Sequence, residues 1–183
     1  MERALLGIFM FMLLIASFIL GVLTPLNPDL AENLARSVED YIEDNIVPRK
    51  DIVELGIFIF SHNLIRALPM LIPVVGAIWG PIVLYITGIY SNAIMITLGV
   101  FGPEKLKIAG LALLTPSTIL ELVAYSLFSS ESIAIFKYLR GERDYYLSYT
   151  VAITIVGISI LLLAGMIEAL EIRRAMIAPS FLY

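Results

Sequence analysis

Cysteine and glutamine are absent from the 183 residues, histidine occurs once, and charged residues make up only 15% of the chain. The lack of cysteine excludes a disulfide framework, a thiol nucleophile and thiolate metal ligation. A single histidine cannot build a His-rich metal site, so no metal and no other cofactor is expected. Charge this sparse falls below the roughly 25% of a soluble domain. With a mean hydropathy of +0.93, it excludes an ordinary soluble enzyme domain and a disordered chain. The net charge is −4, which leaves no basic footprint for nucleic acid. Isoleucine, by contrast, occurs 27 times. The shortage of thermolabile residues points to a thermophilic source.

The apolar residues fall into runs long enough to cross a bilayer. Ala4–Leu23 carries no charge and, at about 1.5 Å per residue, covers roughly 30 Å. It is too long for a signal-peptide core and is expected to be kept as a transmembrane helix. The pattern predicts an all-α integral membrane bundle of about five spans, in one domain over 1–183. The helices are expected at about 4–24, 52–68, 76–100, 108–129 and 146–170, the fourth broken at Pro116. Pro69 and Pro73 mark the re-turn between the second and third, and Pro81 is expected to kink the third or mark its first turn. Gly102 to Lys107 reads as a loop, and 131–145 as a charged connection. Tyr145, Tyr146 and Tyr149 sit where an interfacial aromatic belt would anchor the last span. Lys and Arg occur at both ends of the spans, so orientation stays open.

The one long polar stretch, 25–51, holds seven acidic residues between Asp29 and Asp51. Asn27 can cap a helix with Pro28 at its first position. Leu30, Leu34, Val38, Tyr41 and Ile42 form one apolar stripe. An amphipathic helix over about 28–46 follows, lying over the bundle mouth or offering an acidic surface to a protein partner or cation.

His62, Asn63, Arg66, Asn92 and Glu121 are polar groups within the expected spans. A charge at membrane depth costs about 2.5–3.5 kcal/mol on insertion scales, so it faces protein and is paired. Arg66 and His62 are the expected partners of Glu121, with Asn63 on the face of Arg66. The cluster is either a Glu–Arg or Glu–Asn clasp that fixes helix packing, a proton or ion relay, or a contact site for a partner or lipid. No second acidic residue is expected beside Glu121, which argues against a catalytic carboxylate. Gly76, Gly80 and Gly88 repeat at helical spacing towards Asn92 and suit close helix packing, within the chain or across a homodimer. At Pro116, Thr115, Ser117 and Thr118 supply hydroxyls for broken backbone, and Thr115 or Ser117 can cap a half-helix carrying Glu121 in its second turn.

Phe60-Ser-His-Asn63, the Gly-rich helix ending Gly88-x-x-x-Asn92, and Pro116-x-x-x-x-Glu121 followed by Ala124 resemble the stage II sporulation protein M family. The similarity covers about residues 1–175. Ser117-Thr118 stands where the family reads His-Gly, and Ala93 where it reads Gly after Asn, marking a divergent member. The resemblance implies a polytopic, non-enzymatic scaffold or assembly protein of the cell membrane. Expected partners are membrane lipids, a second copy in a homodimer through the third or first helix, and a protein docking on 28–46. The alternative is a small transporter or channel for an ion or solute, using the intramembrane polar residues.

Overall fold

The computed structural model describes residues 2–142 and 146–177. Seven helices are seen among them: α1 (Glu2–Leu23), α2 (Pro28–Asn45), α3 (Ile52–Ala67), α4 (Val75–Thr97), α5 (Pro103–Leu113), α6 (Pro116–Leu139) and α7 (Leu147–Ile177). A 3-10 turn, Leu68–Leu71, links α3 to α4. Five segments are long and apolar enough to cross a membrane: α1, α3 with its turn, α4, α6 and α7. This is the all-α architecture of a multi-pass membrane protein.

Named contacts fix the direction of each span. Arg3 at the start of α1 meets Glu131 late in α6. Asn92 late in α4 bonds the Thr24 carbonyl just past α1, so α1 and α4 run parallel. Ser117 pairs with Glu171, and Glu131 with Thr150, so α6 and α7 are antiparallel. Gly56 faces Met166, and Arg173 bonds the Arg49 carbonyl, so α3 and α7 are antiparallel too. Successive spans therefore alternate. The main core is built from Leu14, Phe18, Leu84, Leu122, Phe128 and Leu161 around α6.

Local chemistry sets the boundaries. The Asn27 side chain accepts from the Leu30 N–H at 2.7 Å, with Pro28 at the first helical position. Asp51 Oδ1 accepts from the Val53 and Glu54 N–H groups, both at 2.9 Å, and starts α3. Pro81 lies inside α4, which continues through it.

The fourth span departs from its expected bounds. Residues 103–113 form the short α5, and the spanning helix is α6, from Pro116 to Leu139. The expected loop at 102–107 is the start of α5, and the expected connection at 131–145 is helical as far as Leu139. An apolar run has the same periodicity on both sides of the break, so hydropathy alone cannot separate the halves. Pro116 at a first helical position restarts the helix, and buried partners carry Glu131 beyond the expected end. The last span also runs on, to Ile177 rather than 170. Tyr146 and Tyr149 are exposed at the start of α7. Tyr145 lies outside the described residues.

Two glycine seams hold the spans close. A Cβ on Gly88 would meet the Phe18 carbonyl oxygen and the Gly21 Cα; one on Gly21 would meet the Tyr85 carbonyl. Gly76 abuts the Met70 carbonyl, and Gly80 abuts the Ser129 hydroxyl. The ladder Gly76, Gly80, Gly88 thus packs inside the chain, against α1, α6 and the 3-10 turn, and offers no outward face for a second copy. On the other side, Gly165 approaches the backbone of Gly56 and Phe60.

Candidate functional site

Asn63, His62 and Arg66 occupy one stretch of α3, and Glu121 the second turn of α6. The break before α6 is built as its residues dictate. Thr115 is the cap, its hydroxyl 3.0 Å from the Ala112 carbonyl and 2.8 Å from the Thr118 hydroxyl. Ser117, its hydroxyl 3.4 Å from that of Thr115, donates to Glu171 Oε2 at 2.6 Å. One turn further along α6, Glu121 accepts a hydrogen bond from Asn63 Nδ2.

Glu168 of α7 stands beside Glu121 and lines the same cleft. This corrects the expectation that no second carboxyl accompanies it. Glu168 stands three residues before Glu171, so both lie on the face of α7 that meets α6. Three carboxyls and a serine therefore form a column from the start of α6 inwards.

His62 and Arg66, the expected partners of Glu121, line the same cleft but do not bond to it. His62 Nδ1 lies 3.2 Å from the Tyr41 hydroxyl of α2, and its ring stacks near Phe58 at 6.4 Å between centroids. Partial burial lifts the Tyr41 phenol above its ordinary pKa, against the pull of Arg66 and Arg49. Arg66 is exposed and makes no salt bridge within 4.0 Å among the described residues. Its backbone carbonyl accepts from Trp79 Nε1 of α4 at 3.0 Å. Asn92 bonds none of these and is not part of the cleft. It is 1% exposed, donates to the Thr24 carbonyl at 2.7 Å, and accepts from Lys105 Nζ at 2.6 Å. It clamps α1, α4 and α5 and lines no polar path with Glu121.

Between α3 and α4 lies a cleft of about 660 Å³, and α2 contributes to its wall. Asn63, Glu121 and Glu168 line it, as do His62 and Arg66; Trp79, Ile82, Ile86 and Tyr90 form the α4 wall. Those four α4 side chains are exposed to it rather than packed. Among the described residues, no group of three or more His, Asp or Glu converges as a metal site.

A second carboxylate sits at the opposite end. Glu131, 1% exposed, receives Arg3 Nη1 at 3.1 and 3.3 Å and the Thr150 hydroxyl at 2.6 Å. Sequence reasoning placed Glu131 in a connection and paired Arg3 with nothing. It also missed Glu168 and Glu171 as site residues. The signal for that pair was their spacing of three on a helix already predicted.

No family model, curated protein or solved structure matches the chain.

Proposed function

We propose that this protein is a non-enzymatic membrane transporter of a small solute, linked to proton exchange at Glu121 and Glu168, and resident in the cell membrane. The observation that carries the reading is the cleft of about 660 Å³ whose lining includes both carboxyls. A purely structural clasp would be sealed by side chains on every side. Here the carboxyl pair borders open space, and among the described residues no cation comes within 4.0 Å of it. Two like charges so close do not both ionise readily. A cationic group arriving in the cleft takes the place of the proton that one of the two carboxyls holds, and that proton leaves to water. Solute binding and proton release are thereby one event.

The scaffold role implied by the sporulation-family resemblance needs no such opening, and for that reason transport is the better-supported reading. Proteoliposomes with a trapped pH dye provide the test. With an imposed pH gradient, the wild-type chain should move protons faster than empty liposomes, and Glu121→Gln should fall to their level. Equal rates for wild type, variant and empty liposomes would remove the transport reading.

A further inference from the structure

Arg66 is the least explained charge in the molecule. It lies in the last turn of α3, within a segment apolar enough to span the membrane. Helical side chains lean towards the N-terminus of their helix. That direction leads from Arg66 towards His62 and the cleft, and Arg66 is part of its lining. A guanidinium in a spanning segment calls for an anion or a set of acceptors. Its own carboxyl neighbours already have partners: Glu121 has Asn63, and Glu171 has Ser117. The cleft therefore holds a guanidinium without an ion pair on one wall and two adjacent carboxyls on the other.

A ligand that satisfies both carries an anion and an ammonium a few ångströms apart. Phosphate or carboxylate oxygens match the planar donor fork of arginine. An ammonium with N–H groups matches the carboxyl pair, which accepts charge-assisted hydrogen bonds. The remaining lining says what is attached to that head. Trp79, Ile82, Ile86 and Tyr90 present an exposed apolar and aromatic wall along α4. Such a wall suits an acyl chain.

We infer that the cleft binds a zwitterionic amine headgroup, anion on Arg66 and ammonium on Glu121 and Glu168, carried by a lipid of the phosphatidylethanolamine kind with its tail along α4. This rests on the cleft being the ligand site of the proposed transport, though not on transport itself.

Trp79 is the only tryptophan in the chain and lines the cleft, so its fluorescence reports occupancy. The protein would be reconstituted in phosphatidylcholine containing equal small fractions of tail-brominated phosphatidylethanolamine, phosphatidylglycerol or phosphatidylcholine. Quenching should be strongest with the ethanolamine lipid. Hydrogen bonds to charged groups set the scale: Arg66→Gln, or Glu121→Gln with Glu168→Gln, should each reduce that preference on the order of tenfold. Arg66→Lys should recover part of it. Equal quenching by all three headgroups in the wild-type chain would overturn the inference, even if no variant folds. Equal quenching by the ethanolamine and glycerol lipids would overturn its ammonium half. Soluble glycerophosphoethanolamine separates the sources. Relief of quenching supports the same headgroup chemistry reached from water; selective quenching without relief supports a membrane source. Selective quenching in a chain that moves no protons keeps this inference and removes transport. Glu121-dependent proton flux without selectivity does the reverse.

Discussion

Glu121 and Glu131 are the sixth and sixteenth residues of α6, and both are surrounded by other spans. Their settings are opposite. Glu131 has a guanidinium, a hydroxyl and no open space beside it. Glu121 has a carboxamide, a second carboxyl and a cleft. The first arrangement satisfies an ionised carboxylate and closes one end of the bundle. The second leaves a proton to be exchanged and room for something to exchange it with. A carboxylate in a membrane helix is thus structural or functional according to what its neighbours leave unmet.

The sharpest way to break this contrast is to remove the cation at the closed end. Arg3→Ala leaves Glu131 buried without its ion partner, which costs about 3–5 kcal/mol for such pairs. A large fall in the thermal unfolding midpoint in detergent is the expected result. Gly80→Leu attacks the same end through packing, because its side chain must displace Ser129 and Leu14. Overpacking of this kind costs about 1–3 kcal/mol, and the mass in mild detergent should stay that of the wild type. Glu121→Gln should have a smaller effect on stability, under about 1 kcal/mol, since an amide retains hydrogen-bonding capacity beside Asn63 and Glu168. Its loss should appear in proton movement and not in the unfolding midpoint. An equal loss of stability in Arg3→Ala and Glu121→Gln would erase the distinction between the two ends.

The smallest expected effect is at Tyr41. Tyr41→Phe removes the hydroxyl near His62 and should cost about 0.5–1.5 kcal/mol at most. The phenol pKa is raised in the folded chain, so the stability it contributes is complete below the ordinary phenol pKa. It is lost as pH rises through the folded value. Unfolding midpoints of wild type and Tyr41→Phe should therefore converge at strongly alkaline pH.

Much of the fold was legible because it rests on local chemistry. Asn27 with Pro28 starts a helix wherever it occurs in water, and Thr115 with Pro116 announces a break whatever surrounds it. The meeting of Asn63 with Glu121 was legible as a need: a buried carboxyl wants a donor, and few donors lay in the spans. Which donor met it was not, because that depends on rotation of α3 against α6. Arg66 was the stronger candidate on charge and is unpaired. Glu168 was assigned to the end of its helix, since the run of apolar residues stops there. Helix α7 continues past it to Ile177, held by Ser117 and Arg49, which are more than fifty and a hundred residues away in sequence. Such partners leave no trace in periodicity. Glu131 escaped for the same reason, its neutralising charge standing 128 positions earlier.

The turn between α3 and α4 gives the cleft a mechanical character. Val74 there has φ 67° and ψ −47° and centres a γ-turn closed by the Val75 N–H on the Pro73 carbonyl at 2.8 Å, a rare conformation for a β-branched residue that stores about 1–3 kcal/mol. One wall of the cleft is locked to α1 by Gly21 and Gly88, and the other to α7 by Gly56 and Gly165. The walls are thus two stiff arms joined by a strained pivot, like a pair of calipers. With 23 residues in α4, the arm is roughly 34 Å long, and a rotation of about 10° at the pivot moves its far end by roughly 6 Å. Helix α2 packs on one arm and touches the other through Tyr41 and His62, so it sets the span of the jaws.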